Sequence, residues 1–277
     1  MNRGDKERAD SDDFEWLPLD WRPGFSLRRA PDGGVLGRFY GAELSSIYQP
    51  VVDAADARRV GREAFVRSHA NGDLSLSPWS LFSMVADDAV LVGLDRLCRT
   101  LHVLNDPLAG VAEAADELLF LNVHGRLLAA VSEDHGHAFR RILDLVDRRL
   151  AARVVIETPE AACADPRLLG FVLANYRLNG FKVAANVRSL AELTRLLAEV
   201  RPNFVKVDAR HLRLADYAAF AELALSHSAR PVFIRVERSE QRAVLATVAG
   251  AWAQGFAYGE VDLPRSVQLP RRSVLAA

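Results

Sequence analysis

Cysteine is nearly absent: Cys98 and Cys163 are the two in 277 residues, far apart and with no metal-ligand spacing. That excludes a disulfide framework, suits a reducing compartment and leaves two buried thiols as the simple reading. Excess charge of one sign is missing as well. Thirty-five basic side chains stand against 36 acidic ones, a net charge of −1, so the chain has no bulk field for a nucleic-acid polymer and must meet any anionic ligand with locally placed Arg and Lys. Long apolar runs are also lacking. No stretch reaches the roughly 18 residues a membrane-spanning helix needs, and the opening "MNRGDKERADSDD" carries eight charges in thirteen residues where a signal peptide would carry an apolar core. These absences predict a cytoplasmic protein without membrane contact, whose residues 1–13 form a disordered tail.

Half of the residues are hydrophobic, enough for one large core. Residues 14–43 hold two Trp among several Pro and Gly and read as an irregular arm; residues 266–277 read as a frayed tail. Between them, over 44–265, short β-branched or apolar runs recur: "SIYQPVVD", "GREAFVRS", "LLFLNV", "RVVIETP", "FKVAANV", "NFVKVD", "PVFIRVE" and "QGFAYG". From the second onward each is followed by a stretch of helical periodicity. Eight such alternations predict an α/β fold, a closed (β/α)8 TIM-like barrel. Only "AADARRV" separates the first two runs, too short for a parallel crossover, so these strands form a hairpin and the first strand is antiparallel to the rest.

In such barrels reactive groups sit at the C-terminal strand ends. Those ends carry Asn122, Glu157, Asn186, Lys206 with Asp208, Glu237 and Gln254, with Glu63 and Arg67 on the second strand. In order and spacing, "YQPVVD", "GREAFVRS", "LNV", "VVIETPE", "FVKVD", "VERSEQ" and "QGFAYG" resemble the EAL-domain phosphodiesterases that hydrolyse cyclic di-GMP. The signature triplet is matched by Glu63-Ala64-Phe65, with Phe65 where the family has Leu. The resemblance implies a modified barrel with an antiparallel first strand. It also implies two divalent cations, Mg or Mn, held by carboxylates and one Asn, which polarise a phosphate oxygen and activate water.

Glu63, Asn122 and Glu157 match three ligand positions, and Lys206 matches the lysine that orients the attacking water. The family's Asp pair after the fifth strand falls on Asn186 and Val187, or on Ala185 and Asn186 in the other register; neither restores an acid. A further Glu becomes Ile234 and its neighbouring Gly becomes Arg235, while Glu237 stays. Phosphodiester hydrolysis needs accelerations on the order of 10^6 to 10^17, and metal activation, which moves the pKa of water from about 15.7 toward about 7, has no substitute in these residues. The expectation is therefore a degenerate, non-catalytic domain with Lys206 vestigial, no metal and no cofactor.

Two readings of its role stand side by side. One is a cyclic di-GMP receptor and signalling protein, with Gln49, Glu63, Phe65, Arg67, Asn122, Glu157, Asn186, Arg188, Asp208, Arg235, Glu237 and Gln254 as ligand-binding residues; here Arg188 and Arg235 supply positive charge where metals are lost. The other is a protein-interaction scaffold, as a homodimer or with another protein, in which Glu63 is merely an ion-pair partner of Arg67 or Lys206, Asn122 a helix cap, and Arg188 and Arg235 turn outward or pair with Glu192 or Glu237. Weak residual hydrolysis comes third. The "HGH" at 135–137 reads as a solvated loop rather than a metal pair.

Overall fold

A computed structural model describes residues 14–19, 23–31, 33–70, 73–76, 78–106, 116–130 and 136–259. The proposed tails 1–13 and 266–277 lie outside it, as does His135.

Among the described residues, eleven strands form one sheet. They are β1 (Phe25–Arg29), β2 (Val35–Phe39), β3 (Ala42–Asp53), β4 (Arg59–Ala70), β5 (Asp73–Leu76), β6 (Leu118–Asn122), β7 (Val154–Thr158), β8 (Lys182–Val187), β9 (Phe204–Asp208), β10 (Arg230–Ile234) and β11 (Trp252–Ala253). Strands β4 and β6 through β11 run parallel. β3 is antiparallel to both of its barrel neighbours, β4 and β11, and closes the ring. The barrel is therefore eight-stranded and mixed, with the reversed first strand that the short "AADARRV" link dictates.

The α-helices among the described residues are α1 (Pro78–Ser83), α2 (Asp88–Leu104), α3 (Gly125–Ala130), α4 (His137–Val146), α5 (Leu150–Arg153), α6 (Pro166–Leu178), α7 (Leu190–Glu199), α8 (Tyr217–Ser226) and α9 (Ser239–Leu245). The periodic run after β4 is not one helix. Asp87 accepts a hydrogen bond from the Val90 amide and so starts α2 afresh.

The structure corrects two sequence expectations. Residues 14–43 do not stay irregular: β1 and β2 form a hairpin, and β2 pairs with the start of β3; "FSLRR" buries Phe25 and Leu27 on one face, and "VLGRF" buries every residue but Arg38. The eighth barrel strand is Trp252–Ala253 rather than "QGFAYG". Gly255 adopts φ 151° and is followed by a 3-10 turn, Phe256–Tyr258, so the chain leaves the sheet just after Gln254.

Two apolar regions hold the barrel. A large one fills the space between wall and helices. The inner one, Val51, Val60, Leu118, Phe120, Val155, Ala184, Phe204 and Val232, plugs the barrel's lumen. Since alternate residues share a face, two residues further along the same strands the interior positions become Asn122, Glu157, Asn186 and Lys206. The apolar plug thus forms the floor on which the polar groups stand.

Candidate functional site

On β4 the two-residue period sends Glu63, Phe65 and Arg67 to one face, and the register with β3 sets Gln49 opposite Glu63. Register across the parallel strands brings Asn122 beside Glu157 and Asn186 beside Lys206. These residues converge. Lys206 Nζ, fully buried, donates to Glu63 Oε2 at 2.6 Å and to Glu157 Oε2 at 2.5 Å. Asn122 Nδ2 donates to Glu63 Oε1 at 2.7 Å, and Asn186 Nδ2 donates to Glu157 Oε1 at 2.9 Å and to the Thr158 carbonyl at 2.9 Å. Each of the four carboxylate oxygens therefore already accepts one hydrogen bond.

The electrostatics follow from burial. Burial, joined by the Glu63 charge, raises the Glu157 pKa, with Lys206 and Asn186 opposing the rise. Burial alone would lower the Lys206 ammonium, but Glu157 and Glu63 outweigh it and hold its pKa above the ordinary lysine value.

Above this network opens a cleft of about 520 Å³. Of the residues named from sequence, Gln49, Glu63, Phe65, Arg67, Asn122, Glu157, Arg235, Glu237 and Gln254 line it. Arg67 is half-buried, its pKa lowered by burial, and its guanidinium donates to the Val66 carbonyl at 3.1 Å. Both side-chain polar atoms of Gln254 are buried without a hydrogen-bond partner. Asp208 stands behind the rim, where burial would raise its pKa but the hydrogen bonds from Arg210 win and hold it below the usual carboxylate value.

Three placements differ from the sequence reading. Arg188 is not at the cleft: it lies one residue past β8, its Nε bonds Glu160 Oε2 at 2.6 Å, and its side chain is 63% exposed. Glu160 opens the 3-10 turn after β7 and captures it before it can reach the mouth. Asn186 does not line the cleft but supports Glu157 from beneath. Asn122 ends β6, two residues short of the cap position before α3 at Gly125, and its side-chain amide donates to Glu63 Oε1.

Arg210 went unread in the sequence, yet it lines the cleft and grips Asp208 through Nε and Nη2 at 3.0 and 2.8 Å. Its position two residues after a strand-end Asp was the available signal. Arg235 reaches the same carboxylate at 3.3 Å, from a backbone φ of 56°. Cys163, its thiol pKa pushed up to about 12 chiefly by burial, donates to the Asn186 carbonyl, and Cys98 is buried; both are free.

The family model for the EAL domain matches residues 37–260, from the hairpin's second strand to just past the last described residue. This chain belongs to the EAL domain family. No sequence among curated proteins matches it. Solved structures share its fold. Bacillus subtilis YkuI, a protein with an EAL domain in complex with substrate cyclic di-GMP and calcium, is 21% identical with a TM-score of 0.64, over 79% of this chain and 56% of its own. The Xanthomonas citri FimX EAL domain in complex with cyclic di-GMP is 18% identical at TM-score 0.65, over 82% and 90%. Klebsiella pneumoniae BlrP1, in a manganese and cyclic di-GMP complex, is 20% identical at TM-score 0.65, over 87% and 59%. The chain spans about three-fifths of the length of several of the structures it matches. At these identities the likeness is one of fold.

Calcium and manganese in two of those EAL structures make a divalent ion the group to test here. The oxygens of the two central carboxylates are already engaged by Lys206, Asn122 and Asn186. A cation between Glu63 and Glu157 would have to displace a buried ammonium that sits within 2.6 Å of both, and the position that would supply further acid is the amide Asn186. Among the described residues no group of three or more His, Cys, Asp or Glu is arranged to hold a metal ion. Nor is any described helix long and apolar enough to cross a membrane.

Proposed function

We propose that this EAL domain is a metal-independent receptor for cyclic di-GMP that does not hydrolyse it. The observation that carries the reading is internal neutralisation. At the cleft and directly beneath it, the four carboxylates Glu63, Glu157, Asp208 and Glu237 are matched in number by four cations of the chain itself: Lys206 pairs with Glu63 and Glu157, Arg210 and Arg235 with Asp208, and Arg67 stands in the same cleft. A dianionic dinucleotide then needs no metal to offset the acids. Arg67, half-buried and bonded to a backbone carbonyl, is the guanidinium best placed to take a phosphate, since a fork of donors matches that geometry. The unpartnered amide of Gln254 offers a donor and an acceptor toward the same space.

Catalysis lacks a route in this arrangement. Lys206 holds two carboxylates and has no activated water to orient, and with Asn186 and Ile234 in place of acids nothing generates hydroxide.

Isothermal titration with cyclic di-GMP, run with EDTA and again with Mn²⁺, tests both halves of the reading. Binding should be equal in the two, and no linear product should form with Mn²⁺. Arg67→Ala should weaken binding by about 1.5–3 kcal/mol, roughly ten- to a hundredfold. Loss of binding in EDTA, or turnover near 1 s⁻¹, would show that a metal site is present after all. Absence of binding in both would leave the barrel as a protein-interaction scaffold.

A further inference from the structure

The opposite end of the barrel carries a second basin, larger than the cleft, at about 900 Å³. It opens where the parallel strands begin. Four consecutive strands place their first interior-facing residues there: Lys182 on β8, Phe204 on β9, Arg230 on β10 and Trp252 on β11. The two-residue period fixes their direction, since Ala184, Phe204 and Val232 on the same faces belong to the inner plug. Interior layers of such barrels are ordinarily filled by branched aliphatic side chains. Here the end layer alternates cation, aromatic, cation, aromatic.

Neither cation is there to satisfy an acid. Lys182 Nζ donates to the Ala152 carbonyl, and Arg230 Nη1 donates to the Gly250 carbonyl at 3.0 Å. Arg230 also lies over the Trp252 ring at 5.5 Å, and the Phe204 and Trp252 rings sit 5.4 Å apart. Arg149 and Arg153 also line the basin, but Arg149 holds Asp147 and Arg153 pairs with Asp106 at 3.5 Å, which leaves Asp116 as the lining carboxylate set against Lys182 and Arg230. The basin is net positive with an aromatic wall.

From this geometry we infer that the barrel floor is a second ligand site, for a small phosphorylated molecule with a flat ring, of the nucleoside-monophosphate class. Lys182 and Arg230 meet the phosphate and the Phe204–Trp252 wall takes the ring. Cations with donors to spare match phosphate oxygens, and aromatic faces accept a base irrespective of its identity. The volume lies within the range of small-molecule sites and is far more than inorganic phosphate alone would fill. The apolar plug of Phe120, Val155, Ala184 and Val232 stands between this basin and the cleft, so the two sites are separate and this inference does not rest on the cleft's ligand.

The test uses the full chain with AMP and inorganic phosphate as probes, followed by calorimetry and tryptophan emission. AMP should bind saturably and at least tenfold more tightly than phosphate, quenching emission that the Trp252→Phe variant lacks. Lys182→Glu, which reverses one charge while leaving the Arg230–Trp252 stack in place, should weaken AMP at least tenfold, and Arg67→Ala in the cleft should leave it unchanged. The inference is overturned if AMP does not saturate at millimolar concentration, if phosphate binds as tightly as AMP, or if Arg67→Ala rather than Lys182→Glu removes AMP binding.

Discussion

Arg235 is the residue where the backbone and the cleft make opposed demands. Its φ of 56° is the left-handed conformation that costs a side-chain-bearing residue about 1–2 kcal/mol, and what the strain holds in place is a guanidinium at the cleft rim, 3.3 Å from Asp208. Strain of this kind clusters at functional sites. Arg235→Gly should therefore raise stability by up to about 1 kcal/mol, read as a higher urea midpoint, while weakening cyclic di-GMP roughly tenfold, about 1.4 kcal/mol. A variant that loses stability without losing affinity would make Arg235 a structural residue.

The last strand shows how an element aims a side chain. β11 pairs with β10 for only two residues, Trp252 and Ala253, and the chain then turns at Gly255. The Gln254 backbone N–H donates to the Phe233 carbonyl, and the Val236 backbone N–H closes the turn by donating to the Gln254 backbone carbonyl at 3.0 Å. A Cβ on Gly255 would stand 2.3 Å from the Val236 carbonyl oxygen, closer than any real contact, and at φ 151° it would also be strained. Gly255→Ala should cost at least about 2 kcal/mol and rotate Gln254 out of the cleft, so chemical denaturation and nucleotide titration should both register it. If stability falls and affinity holds, Gln254 does not touch the ligand.

Across the whole molecule, stability should fall on the acid side through His102. This histidine is buried between α2 and β3, its Nδ1 2.7 Å from Ser46 Oγ, and burial lowers its pKa to about 3. Its folded pKa lies below the unfolded value near 6.5, so its contribution is complete above about pH 6.5 and is lost as pH falls toward 3, with a limiting slope of about 1.4 kcal/mol per pH unit. Glu157, raised by burial and by Glu63, acts in the opposite sense as pH rises through its folded value. The comparison that isolates the histidine is therefore wild type against His102→Asn, by urea midpoints at pH 7, 5 and 4. The variant should show the shallower acid decline, and identical slopes would mean that His102 is not the responsible group.

Local rules were enough for the barrel. Seven of the eight runs, alternating with helical periods, and one link too short for a crossover set the topology, because strand period and loop length act within a few residues; the eighth run is misplaced, since the strand there is Trp252–Ala253. That none of Asn186, Val187 and Ile234 is an acid is likewise read directly, since a residue's identity needs no fold. Charge pairing was legible only as open alternatives, Arg67 or Lys206 for Glu63 and Glu192 or Glu237 for Arg188 and Arg235. That Lys206 takes both Glu63 and Glu157 joins residues up to 143 positions apart, that Arg188 goes to Glu160 and not to the mouth depends on a turn from another strand, and that Arg210 enters the cleft depends on Asp208 holding it. An ammonium or guanidinium with several acids in reach along the sequence has no local reason to choose among them. Only closure of the barrel brings one acid to within 3 Å and removes the water that would otherwise make the choice immaterial.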